Sequence, residues 1–235
     1  MDYNASAVAE MVKRVLADLE KNGAGVTAAP APAAAPAAPT APASAGESPV
    51  GISNRHIHLS RADLETLFGA GYELTPMKDL SQPGQYACKE TLTILGPSMR
   101  SIEGVRVLGP LRKESQVEIS RTDSFTLKVK PPVRESGSLE GSAPIIIVGP
   151  KGVVSLSKGC IIANRHIHMH TDDARRFGVA DGDYVNVDVA SGARRTRWFD
   201  VQVRVNPQFA LEMHVDTDDA NAVGIGNGAR VTLVK

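Results

Sequence analysis

Asn54-Arg55-His56-Ile57-His58 recurs unchanged as Asn164-Arg165-His166-Ile167-His168, and these two stretches hold four of the chain's six histidines. The first copy sits in "VGISNRHIHLS" ahead of "RADLETLFGAG", the second in "CIIANRHIHMH" ahead of "TDDARRFGVADGD". Each copy alternates as a strand and then changes to helical spacing. Ser60 reads as the N-cap of the first helix, with Asp63 completing a capping box, and Thr171 or His170 caps the second. The repeated unit is therefore a strand, a His-x-His and a short helix, which predicts two related halves.

The sequence around the repeats decides the fold class. "TLTILGP", "VRVLGP", "SQVEIS", "FTLKVK", "IIIVGP", "YVNVDV", "WFDVQVRV" and "ARVTLV" are short apolar runs bounded by Gly, Pro, Asn or Asp. Short strands at this spacing predict a mainly β protein, two β-barrel units capped by short helices. Aromatic residues make up only 4% of the chain, so its cores must be filled by Val, Ile and Leu, which suit strands. "RESGSLEGSAP" (134–144) reads as a polar loop that interrupts them.

Histidines at i and i+2 of a strand point to one face, about 6–7 Å apart. Two neutral imidazoles so placed can converge on one metal ion, while Ile57 and Ile167 turn to the opposite face and a core. A pair alone could be a polar strand face; its duplication in an identical pentapeptide points to two metal sites. Each pair then needs a third ligand. His214, in "LEMHVDTDDAN", has a strand context, whereas His170 aligns with the helix-capping Ser60, so His214 is preferred and His170 is kept as the alternative. Glu118, on the alternating "SQVEIS", is the economical ligand for the other ion, the alternative being a solvent-facing glutamate. Cys88 and Cys160 have no metal-site spacing and read as buried small hydrophobes.

Other features bound the function. Lys plus Arg and Asp plus Glu both number 26, so no overall charge suggests nucleic acid or an anionic membrane as partner. Two cysteines make no disulfide framework, which points to a reducing compartment. No apolar run is long enough for a membrane span, and the N-terminus lacks a signal peptide's apolar core. Val8, Met11, Val12, Val15, Leu16 and Leu19 form an apolar stripe at helical spacing, predicting an amphipathic helix over residues 1–23. An Ala/Pro-rich linker over 24–48 separates it from a body over 49–235. A short helix on such a tether gains stability by laying its stripe in a partner's groove.

"NRHIHLS", "LGPLRKESQVEIS", "NRHIHMH" and "EMHVDTDDANA", in this order, closely resemble the PduL-type phosphotransacylases, or phosphate propanoyltransferases, of bacterial microcompartments. The resemblance covers about Val50 to Lys235. It implies two β-barrels, with residues about 54–160 forming most of one and the N-terminal strand plus about 161–235 forming the other. It also implies a homodimer and two Zn2+ ions per chain, one on His56, His58 and Glu118, the other on His166, His168 and His214. Arg112 matches the arginine placed to hold phosphate. Ser53, Lys78, Arg106, Leu108 and Asn221 match positions lining the CoA pocket. The implied reaction is reversible acyl transfer between acyl-CoA and phosphate, giving acyl phosphate and CoA, in the microcompartment lumen. Residues 1–23 resemble the peptides that dock cargo enzymes to shell or core proteins of these organelles. A dinuclear zinc hydrolase or a shell-associated structural zinc protein would use the same ligand types.

Overall fold

The computed structural model describes residues 46–234. The helix expected over residues 1–23 and nearly all of the 24–48 linker lie outside the described residues. The body is mainly β: β1 (Glu47–Ser53), β2 (His56–His58), β3 (Pro76–Asp79), β4 (Tyr86–Leu95), β5 (Ser101–Gly109), β6 (Gln116–Glu118), β7 (Val133–Arg134), β8 (Ala143–Val148), β9 (Val153–Ala163), β10 (His166–Met169), β11 (Tyr184–Val189), β12 (Thr196–Val205), β13 (Glu212–Asp216) and β14 (Arg230–Val234). Four short helices accompany them: α1 (Arg61–Phe68), α2 (Arg121–Leu127), α3 (Thr171–Phe177) and α4 (Thr217–Val223). β1 begins inside the span expected for the linker, because Ser48 is already fully buried and pairs with Val231.

The strands close into two six-stranded barrels. In barrel I the ring runs β4-β5-β2-β6-β9-β8 and returns to β4, with β3 and β7 added outside it. In barrel II it runs β11-β12-β10-β13-β1-β14 and returns to β11. Read in these orders the two rings share one succession of pairings: antiparallel, parallel, antiparallel, parallel, antiparallel, antiparallel. Each ring is closed, so its strands leave no open edge to template pairing with another chain.

The strand before each pentapeptide belongs to the other barrel. β1 precedes the first pentapeptide but closes barrel II between β13 and β14. β9 precedes the second but closes barrel I between β6 and β8. Val50 is accordingly fully buried among Ile167, Val187 and Met213, and Cys160 is fully buried among Ile57, Val107 and Val117. The chain changes barrels at Asn54-Arg55 and again at Asn164-Arg165.

One expected strand is a helix. "FTLKVK" alternates over six residues, yet Phe125 to Leu127 lie in α2. Its start lies upstream of that window: the Ser120 side chain accepts from the Asp123 amide while the Asp123 carboxylate accepts from the Ser120 amide. That reciprocal cap fixes the first turn. Leu127 is then buried, Phe125 is left exposed, and Lys128 closes the helix in the left-handed region at φ 56°. The helix end abuts the β4–β5 turn so closely that a Cβ on Gly96 would lie 1.9 Å from the Leu127 carbonyl oxygen.

Candidate metal centres and anion site

The repeated pentapeptide builds the same local device in each barrel. Asn54 and Asn164 turn their carbonyl oxygens to Nδ1 of His56 and His166, at 2.8 and 2.7 Å. A carbonyl can only accept, so each Nδ1 carries a proton, and in the neutral imidazole Nε2 is the nitrogen left with a lone pair. Ile57 and Ile167 fill the barrel interiors with no exposed surface. Arg55 grips Asp123 with two contacts of 2.8 and 2.9 Å, tying the pentapeptide to the start of α2. Arg165 faces Asp219 near the start of α4 at 3.7 Å.

The antiparallel partner strand supplies the third member of each group. Register puts Glu118 opposite His56 on β6, and His214 opposite His166 on β13. The donor atoms of His56, His58 and Glu118 lie within 4.8 Å of one another, as do those of His166, His168 and His214. Nδ1 of His58, Nδ1 of His168 and Nε2 of His214 are buried without a hydrogen-bond partner. Such atoms are costly in a protein interior unless something satisfies them, and a divalent cation among these donors would do so. His170 stays outside both groups; it is the N-cap of α3, its Nδ1 accepting from the Asp172 amide at 3.2 Å.

Burial sets the charge state of these imidazoles. It lowers His166 to about 3, with Arg204 and His214 adding to the effect. It lowers His168 to about 2, with His166 and His214 adding. His58 is held well below the ordinary range by burial, by His56 and by Arg112. All three imidazoles are therefore neutral at physiological pH, the state in which a metal can be bound. Burial alone would raise the Glu118 carboxyl, but His56, 3.5 Å away, outweighs it and Glu118 is held well below the usual range. Burial would lower His56, but the same pair raises it.

Positive charge and donors surround Glu118. Ser136 donates to Glu118 Oε1 at 2.7 Å and receives hydrogen bonds from Arg112 Nη1 at 3.0 Å and Gln116 Nε2 at 2.9 Å. Gln116 also donates to Glu118 Oε1 at 2.5 Å. Arg204, opposite His168 on β12, brings a second largely buried guanidinium from barrel II, 3.4 Å from Glu135. Burial depresses Arg112, and the charge of Arg204 adds to it. Glu118 in turn acts on both His166 and Arg204, so the two histidine groups are electrostatic neighbours. Phe209 packs on His168 with ring centroids 4.4 Å apart.

Arg204, Ser136 and Gln116 were missed in the sequence. Arg204 looks like one polar position in an alternating strand, and Ser136 lies in a loop dismissed as an interruption. The signal for Arg204 was its place in the strand that runs parallel to a His-x-His pair. The remaining expected residues are more scattered. Arg106 pairs with His56 across β2 and β5, and its Nη1 donates to the Cys88 and Lys89 carbonyls. Leu108 follows on β5, Ser53 ends β1, Lys78 is exposed on β3 and Asn221 is exposed on α4. Cys88 and Cys160 are fully buried, and burial pushes their thiols up to about 11 and about 12.

Comparison with known proteins bears on the whole of this body. The family model described as phosphate propanoyltransferase matches residues 49–226. The phosphate propanoyltransferase of Thermotoga maritima is 63% identical over 79% of this chain and 88% of its own length. Those of Lachnoclostridium phytofermentans and Rhodobacter capsulatus are 56% and 54% identical. They cover 79% and 80% of this chain, and 86% of their own length in each case.

Proposed function

The chain belongs to the phosphate propanoyltransferase family, and from that premise we propose that it moves an acyl group between CoA and inorganic phosphate at two adjoining zinc centres. The supporting observation is the pair of three-donor groups placed beside the partly buried guanidinium groups of Arg112 and Arg204. Imidazole and carboxylate donors in threes suit Zn2+ with a coordination position left open. His56, His58 and Glu118 would hold one ion, and His166, His168 and His214 the other. Bound there, the ions would supply charge to fix phosphate oxygens and to polarise a thioester carbonyl.

The chain's own residues do the rest. Arg112, steadied by Ser136, offers a planar donor fork to a phosphate oxyanion. Holding phosphate and thioester together turns a slow bimolecular encounter into an oriented one. A phosphate oxygen attacks the thioester carbonyl, the new C–O bond forms, the C–S bond breaks and CoA leaves as thiolate. Thiols have moderate pKa values, so the leaving group needs no strong acid. No covalent acyl-enzyme is required, in keeping with the buried, high-pKa state of both cysteines.

The test is phosphate dependence. Purified protein mixed with acetyl-CoA or propanoyl-CoA should release free thiol only when phosphate is present, and the series of acyl chains identifies the preferred one. Release that ignores phosphate would mark a hydrolase, and no release from zinc-loaded protein a structural metal protein. The stripe over residues 1–23 supports, as a further part of this reading, docking to shell or core proteins inside a bacterial microcompartment. A chain lacking residues 1–45 should keep its turnover and lose co-localisation with shells; a truncated enzyme that still reached the shell would place targeting elsewhere. The family resemblance also supports a homodimer, which sedimentation would show as twice the mass of one chain.

A further inference from the structure

The two candidate metal groups share one plan and differ in where the carboxylate stands. β6 places Glu118 opposite His56 and Gln116 opposite His58; β13 places His214 opposite His166 and Glu212 opposite His168. Barrel I thus offers two imidazoles and a carboxylate. Barrel II offers three imidazoles, and its carboxylate is found two residues back on the same strand face. A divalent ion held by three neutral groups brings positive charge that none of its own donors offsets, which is unfavourable in a buried site.

Glu212 is built to supply it. Its Oε2 lies 3.0 Å from Nε2 of His214, one of the buried nitrogens without a hydrogen-bond partner. Its carboxylate rests on bare backbone: Gly51 pairs with His214 across β1 and β13, and a Cβ there would fall 2.8 Å from Glu212 Cδ. Ser81, in the turn between β3 and β4 of barrel I, donates its hydroxyl hydrogen bond to Glu212 Oε2. The next residue, Gln82, is fixed to the Ala210 carbonyl and amide at 3.0 and 3.2 Å. A glycine floor and a serine from the other barrel therefore hold this carboxylate in one place, beside the free nitrogen of His214.

We propose that Glu212 is the carboxylate that balances the charge of the divalent cation bound by His166, His168 and His214, standing beside that group next to His214. Gly51 makes the room for it and Ser81 orients it. Glu118 brings its charge from within the donor group of barrel I, and Glu212 from beside that of barrel II. This inference rests on the metal reading above.

The test measures zinc, not turnover. The full-length chain as purified is analysed for zinc and titrated with a chromophoric zinc chelator, its fold followed by circular dichroism. Wild type should hold two ions. Glu212→Gln should surrender one of them at a chelator concentration tenfold or more lower, and keep the other unchanged. Gly51→Ala, which retains the carboxylate but evicts it from its floor, should give the same shift and serves if the first variant folds poorly. Glu212→Gln combined with His58→Ala should leave no tightly held zinc. Both ions held as in wild type by Glu212→Gln and by Gly51→Ala would overturn the proposal while leaving the metal reading intact. A wild-type chain that takes up no zinc would overturn both.

Discussion

Every residue of the repeated pentapeptide has a separate physical task. The asparagine carbonyl sets the tautomer of the first histidine, the arginine anchors the turn to a helix start, and the isoleucine fills a barrel. Burying each isoleucine fully contributes about 2 kcal/mol, while the histidines face the other way. The anion binding proposed for Arg112 has the sharpest test at this scale. Arg112→Ala should raise the phosphate concentration needed for half-maximal rate at least about tenfold, because one bidentate charge-assisted contact is worth about 1.5–3 kcal/mol. Its zinc content should stay at the wild-type value, since the Arg112 side chain hydrogen-bonds Ser136 and none of the three donor residues. Arg112→Lys should recover little of the loss, lacking the planar fork. Zinc lost from Arg112→Ala would make the arginine a support of the metal group instead.

At the scale of elements, strand alternation and caps were legible because both are local. Ser60 caps α1 as read, although its own amide donates to Ser115 rather than closing a box with Asp63. "FTLKVK" failed because its alternation is a strand signal, whereas the helix that enters it starts upstream at the Ser120–Asp123 cap and buries Leu127 while exposing Phe125. Ser120→Ala should therefore cost about 1 kcal/mol in urea unfolding; an unchanged midpoint would mean that α2 is held by tertiary packing alone. The start of α4 carries a pH signature. Burial, with Asp216 and Asp218 close by, raises Asp219 to about 6 despite Arg165. A raised folded-state pKa means the folded chain binds the extra proton between the unfolded value of 3.8 and about 6. The stabilisation is then complete below 3.8 and is lost as pH rises through 6. Asp219→Asn should gain on the order of 1 kcal/mol relative to wild type on going from pH 4 to pH 8, solvent screening included. A difference between the two proteins that does not change with pH would contradict this assignment.

The whole molecule is organised by an exchange of strands that no periodicity marks, since β1 and β9 alternate in the same way whichever barrel receives them. In the sequence it was visible only through the family resemblance. Its physical consequence concerns folding. Cut in the turn between Pro150 and Lys151, the body yields one fragment carrying β1 to β8 and another carrying β9 to β14. The first lacks β9, so barrel I would be left open between β6 and β8, with Val117, Val107 and Ala143 deprived of Cys160 and its neighbours. The second lacks β1, so barrel II would be open between β13 and β14, exposing the core that Val50 fills. An open barrel presents unpaired edges and an uncovered apolar interior, neither of which a small fragment can offset. Fragments 46–150 and 151–235 should therefore show no cooperative thermal transition when separate. Mixed in equal amounts they should refold into a complex with native near-ultraviolet dichroism. Val50→Asp placed in the first fragment should block this recovery through damage to barrel II, to which the first fragment contributes only β1. A cooperative transition in either fragment alone would show that one barrel can close without the borrowed strand, and the exchange would then be a feature of topology with no hold on stability.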